Sequence, residues 1–141
     1  MTQYHLKYTR IKPAVVKLVK YVIKDLKFFK VDNRTRKFFL RYLNYKLNDL
    51  YKIDLDKQPY LNFNANNDGF YNQIENTINL NERLSLITYL HEFKHFLQHH
   101  FNKTNNEEIA RGYSLSLFFN ASPQHFKRAL RKGLILHQTE L

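Results

Sequence analysis

Two histidines four positions apart, His91 and His95, bracket Glu92 in the order H-E-x-x-H. On an α-helix, residues i and i+4 lie on one face a turn apart, so both imidazoles can reach a single divalent ion. Glu92, one step round from His91, is placed to touch a water on that ion. This is the arrangement of a zinc hydrolase, with two histidine ligands and a carboxylate as general base. His and Glu are also ordinary surface residues. With seven His among 141 residues, chance alone puts the pattern into about one chain in 70 of this composition, so the surroundings have to carry the reading.

The surroundings read as a helix. Leu84, Leu86, Ile87, Leu90, Phe93, Phe96 and Leu97 recur at spacings of three, four and seven, the stripe that an amphipathic helix buries. Asn81 is expected to cap this helix, which runs to about Phe101, and Asn102 to Asn106 is a polar break. A further helix starts near Asn105 or Asn106, with Glu107 and Glu108 in its first turn, where negative charge suits the helix dipole. It continues through Ile109, Ala110, Tyr113, Leu115, Leu117 and Phe118 to Asn120, despite Gly112. Ser122-Pro123 opens a last short helix with Phe126, Ala129 and Leu130 apolar. The tail Leu134-Ile135-Leu136 reads as strand or helix.

Upstream, after an extended start, Pro13 suits a first helical turn. Val15, Val16, Leu18, Val19, Val22, Ile23, Leu26 and Phe29 mark the buried stripe, opposite Lys17, Lys20, Lys24 and Lys27. Asp32-Asn33 caps a second helix from about Arg34 to Tyr51, with Phe38, Phe39, Tyr42, Leu43, Leu47 and Leu50 inward. The period then changes. Tyr60 to Asn64 alternates, Asn66-Asn67-Asp68-Gly69 is a turn, Phe70 to Ile74 alternates again, and Glu75-Asn76 turns into a third strand, Thr77-Ile78-Asn79-Leu80. The expected fold class is α+β: N-terminal helices, a small antiparallel three-stranded meander, the metal-binding helix pair and a short C-terminal helix. Residues 1–141 read as one metallopeptidase-like domain, with a basic helical part over 1–59 and the meander and site helices over 60–132.

Composition narrows the chemistry. There is no Cys, which excludes disulfides, thiolate ligands and cysteine nucleophiles, so a metal must be held by His and carboxylates. The apolar content of 43% and the three Gly and three Pro argue for a folded chain. No apolar run resembles a signal peptide or a membrane span, which makes a cytoplasmic location the expectation. The net charge of +11 is uneven: residues 1–60 hold 15 Lys+Arg against 5 Asp+Glu, and residues 61–141 hold 8 against 7. Such a basic half is compatible with nucleic acid or an acidic partner, and equally with solvated lysine faces.

Two histidines leave a zinc short of a donor. The metzincin spacing would put Gly at 98 and His at 101, where this chain has Gln98 and Phe101. His99 lies ~12 Å along the axis from His91 at ~1.5 Å per residue, too far for a bond of ~2 Å. His99 and His100 read as exposed helix-end residues. The first turn of the next helix, folded back by a short loop, is better placed, which leaves Glu107 and Glu108. Glu107 shares its face with the small residues Ala110 and Ser114, which allow close approach, whereas Glu108 shares its face with Arg111. This favours Glu107; the bland alternative is that both only serve the helix N-terminus.

The order of turn, short strands, Ile/Leu strand, H-E-x-x-H and then Glu107-Glu108-Ile109-Ala110-Arg111-Gly112-Tyr113-Ser114 resembles the ImmA/IrrE group of small bacterial zinc metallopeptidases. The likeness covers about residues 60–130 and includes the hydrophobic run after Tyr113 and the Pro123 helix. The group usually has Leu-Gly where this chain has Phe93-Lys94. The resemblance implies cleavage of a protein substrate such as a transcriptional repressor, with a helix-turn-helix regulator as partner.

If His91, His95 and Glu107 hold Zn2+, an open fourth position takes a water whose pKa falls to ~7, with Glu92 as general base. An extended peptide would add to a free side of the strand Thr77–Leu80, with His125 or Tyr113 as candidates to stabilise the oxyanion. His and carboxylate ligands serve several divalent ions besides zinc. Two other readings remain: a DNA-associated anti-restriction or regulatory protein of a mobile element that uses the basic N-terminal helices, and a catalytically idle interaction protein.

Overall fold

The computed structural model describes residues 11–133. The extended start before Ile11 and the tail Leu134–Leu136 lie outside them. Helix α1 spans Pro13–Lys20, with Pro at its start and Val15 and Val19 fully buried. It continues as one π-helical turn over Tyr21–Asp25. The stripe that predicts a helix as far as Phe29 is interrupted there. Lys27 adopts a left-handed conformation (φ 56°), and Phe28–Lys30 forms a 3-10 turn. This redirection buries Phe28, and the carbonyls it frees are met by Arg36, whose Nε donates to Phe28 O and Nη2 to Phe29 O, each at 3.0 Å.

Helix α2 spans Asn33–Leu50, and Asp32 Oδ1 accepts from the Thr35 N–H at 2.8 Å as its cap. Its buried face is Leu40, Leu43, Asn44, Leu47 and Asn48. Phe38, expected inward, is 67% exposed. At ~100° per residue it lies about 160° round from Leu40, on the far side of the helix.

Three strands follow: β1 (Tyr60–Asn62), β2 (Gly69–Asn72) and β3 (Thr77–Leu80). The sheet is not the antiparallel meander. Its order is β1-β3-β2, with β2 antiparallel to β3 but β1 parallel to it. Strand β3 carries Ile78 and Leu80, both essentially buried, and takes the centre, while β1 and β2 keep Tyr60 and Phe70 exposed at the edges. The loop from Phe63 to Asp68 carries the chain past the end of β3, where the Ala65 N–H donates to Leu80 O at 3.1 Å. It closes at Gly69, whose N–H donates to Asn67 Oδ1 and whose φ is 138°.

The motif helix, α3, spans Leu86–His100. Asn81 does not cap it. Asn81 Oδ1 accepts from the Arg83 N–H in a short preceding turn, and Leu84 has a left-handed φ of 52° with its side chain buried. Ser85 is the cap, its Oγ accepting from the Thr88 N–H at 3.1 Å. Helix α4 spans Glu107–Ala121 and is capped by Asn106, whose Oδ1 accepts from the Ile109 N–H at 2.9 Å. It runs straight through the buried Gly112. Helix α5 spans Pro123–Arg131 and buries Phe126. Helix α3 packs on α4 at one side and on β2 and β3 at the other, so Tyr89, Leu90, Phe93, Phe96 and Leu97 form the middle of the core. Among the described residues no helix is long and apolar enough to cross a membrane.

Candidate metal centre

His91 and His95 project from successive turns of α3, their ring centroids 5.0 Å apart. The loop after α3 returns the chain so that Glu107, the first residue of α4, faces both. Glu107 Oε1 pairs with His91 Nε2, and Oε2 lies 3.1 Å from His95 Nε2. Two imidazole nitrogens and one carboxylate oxygen thus lie within 4.8 Å of one another. Donors each ~2.0–2.2 Å from one ion stand ~3.4 Å apart in a tetrahedron, so a small side-chain movement would bring these atoms to a shared ion, and this nitrogen and oxygen set suits zinc and its neighbours in the transition series. The residues fit a divalent ion.

The surroundings favour neutral, ligating imidazole at His91. Burial lowers its pKa, Glu107 raises it and His95 lowers it again, with a net fall. For Glu107, burial raises the pKa, but the charges and hydrogen bonds of His91 and His95 outweigh this and hold it below its ordinary value. Its side chain is 61% exposed, which leaves an approach to the cluster from solvent. Glu108 is exposed and outside the cluster. Ala110 and Ser114, the small residues on the Glu107 face, are buried against the rest of the fold.

Glu92 is 9% exposed, and its Oε2 lies 4.0 Å from His91 Nε2. Burial first, and then the charge of Glu107, push its carboxyl up to about 7; a hydrogen bond from the Tyr71 backbone N–H offsets part of this. That N–H belongs to β2, so the edge of β2 away from β3 faces Glu92. The strand expected to offer a free side, β3, is paired on both sides.

The candidate oxyanion donors are engaged elsewhere. Tyr113 is buried with its hydroxyl 2.9 Å from that of Tyr51, and His125 stacks on Phe29 and pairs with Ser122 Oγ at 2.6 Å. His99 is exposed as expected, whereas His100 is half-buried against Phe96 and Phe101. Two contributors escaped the sequence reading. One is the Tyr71 backbone, which no side-chain pattern marks. The other is Gln98, whose Oε1 lies 2.9 Å from His95 Nδ1; its place three residues after the second histidine was the available signal. Comparison with protein-family models, curated proteins and solved structures gives no match for this chain.

Proposed function

We propose that this chain is a zinc-dependent metallopeptidase of the ImmA/IrrE type, with His91, His95 and Glu107 as ligands and Glu92 as general base. The observation that carries the reading is the convergence of these three donors beside the buried carboxylate of Glu92. When bound, zinc would acidify a water and polarise a peptide carbonyl. Glu92 takes the proton of the attacking water on its carboxylate and delivers it to the nitrogen of the leaving amine. The charge of a bound dication would favour the ionised carboxylate, the form that takes the proton. An extended substrate would approach along the edge of β2 away from β3, where Tyr71 meets Glu92. The substrate class is a protein, by the resemblance a transcriptional repressor or regulator, with a helix-turn-helix regulator as partner.

Metal analysis tests the ligands. Purified wild type carries zinc, His91→Ala and Glu107→Ala lose it, and Glu108→Ala keeps it. Equal, metal-free results for wild type and His91→Ala would overturn the proposal. Glu92→Gln keeps zinc and loses at least ~10²-fold of the hydrolysis of a quenched fluorescent peptide library. Full proteolysis by that variant would end the role of Glu92, and unchanged biological activity in it would favour the idle interaction protein.

A second reading rests on α2. Its outward face presents Arg34, Phe38, Arg41 and Tyr45 at helical spacing, with Phe38 67% and Tyr45 55% exposed. Cationic and aromatic side chains on one face suit a nucleic-acid strand. Binding of labelled single-stranded DNA that weakens steeply with salt, and weakens further in Phe38→Ala/Arg41→Ala, would support it.

A further inference from the structure

We propose that Gln98 is the positioning residue of this site, fixing which nitrogen of His95 is free to bind a metal. Gln98 is 5% exposed, and its amide is held by the backbone of one residue. Gln98 Nε2 donates to Asn106 O at 3.0 Å, and the Asn106 N–H donates to Gln98 Oε1 at 3.3 Å. A backbone N–H only donates and a carbonyl only accepts, so the amide has one orientation. That orientation turns Oε1, an acceptor, toward His95 Nδ1 at 2.9 Å. The hydrogen must therefore sit on Nδ1, and in the neutral ring the lone pair is left on Nε2, the atom that faces Glu107. Hydrogen bonds of this kind fix the tautomer and direction of a ligating ring.

The same amide places the third donor. Asn106 caps α4 and immediately precedes Glu107. One side chain therefore sets the ring of His95 and the start of the helix that brings Glu107 to it. The purpose of this arrangement rests on the metal reading above, but the tautomer does not, and the two are separable by experiment.

The test uses metal-free protein carrying Glu107→Ala, which removes the carboxylate that competes for a proton on Nε2. Long-range proton–nitrogen correlation at pH 8.5, above the ordinary His range near 6.5, reads the tautomer of His95. The Nδ1–H form is expected. Adding Gln98→Met, which keeps the length of the side chain and removes the acceptor, returns the ring to the Nε2–H form that free imidazole prefers. Adding Gln98→Glu instead keeps an acceptor and keeps Nδ1–H, even where the lost bond to Asn106 O lowers stability. An Nε2–H ring in Glu107→Ala, in Gln98→Glu, or a ring indifferent to Gln98→Met would overturn the proposal. Should Gln98→Met not fold, Gln98→Glu decides alone.

In the otherwise wild-type chain, Gln98→Met lowers zinc affinity about 10–100-fold by chelator competition. Unchanged affinity there also counts against Gln98. A wild type without zinc affinity defeats the metal reading and leaves the tautomer result to stand or fall by itself.

Discussion

The hydroxyl of Tyr89 donates to Oδ1 of Asn44 at 2.7 Å, joining the motif helix to the basic helix α2 across 45 positions of sequence. Tyr89 is fully buried, and Asn44 in turn donates through Nδ2 to Pro59 O at 3.1 Å, just ahead of β1. A polar link of this kind is costly to break from one side only, because the buried acceptor would keep just the long 3.4 Å bond from Asn48 Nδ2. Tyr89→Phe is therefore expected to lower unfolding free energy by about 1–3 kcal/mol, read as a shift in the urea midpoint. An unchanged midpoint would mean that the bond from Asn48 Nδ2 is enough for Asn44 Oδ1.

Glu92 gives the metal-free protein a characteristic pH response. Its carboxyl, pushed up by burial and by Glu107, titrates near 7 in the folded chain against an ordinary value of 4.5. Between these values the native state keeps a proton that the unfolded state releases, so this group's contribution to stability falls as pH rises from 4.5 to 7 and is level above. The whole span is worth roughly 3 kcal/mol. His91, with its lowered pKa, acts in the opposite sense over part of this window, because the unfolded chain binds the proton more readily. The difference between wild type and Glu92→Gln isolates the carboxylate: after chelation, the variant gains on wild type between pH 5 and pH 8. A constant difference across that range would refute the assignment.

Gly69 meets two constraints at once. Its φ of 138° is one that side chains rarely adopt, and a Cβ there would stand 2.8 Å from Asn79 O and 2.8 Å from Thr88 Cγ2. Gly69→Ala is expected to destabilise the fold by at least about 1–3 kcal/mol. Because Thr88 lies in the first turn of α3, the substitution also pushes on the helix that bears the histidines. Thermal unfolding checks the first effect, and zinc affinity of the folded variant checks the second.

What the sequence made legible was whatever depends on local spacing. The i, i+4 histidines, the Asn106 break and the face shared by Glu107, Ala110 and Ser114 are properties of single helices, and they placed the three donors within reach. Strand adjacency is different. Alternation marked three strands, but β1 lies beside β3 because a loop passes over the end of β3, and no residue pattern within a strand records which neighbour it takes. Helix entry was misjudged for a related reason. Leu84 has apolar character that fits the helical stripe, yet its burial is achieved from a left-handed turn, leaving Ser85 rather than Asn81 as cap. The outward Phe38 shows that an aromatic residue in a helical stretch is not by itself a core residue.

The three donors lie between positions 91 and 107, on one helical hairpin, whereas the setting of Glu92 depends on Tyr71 in the sheet. Loosening β2 from the rest of the fold would therefore leave the three donors together while removing burial from Glu92, so the grouping of the donors and the setting of the carboxylate can be lost separately. On the proposed reading, a chain whose sheet edge has opened would still hold its ion and would lose its hydrolytic power.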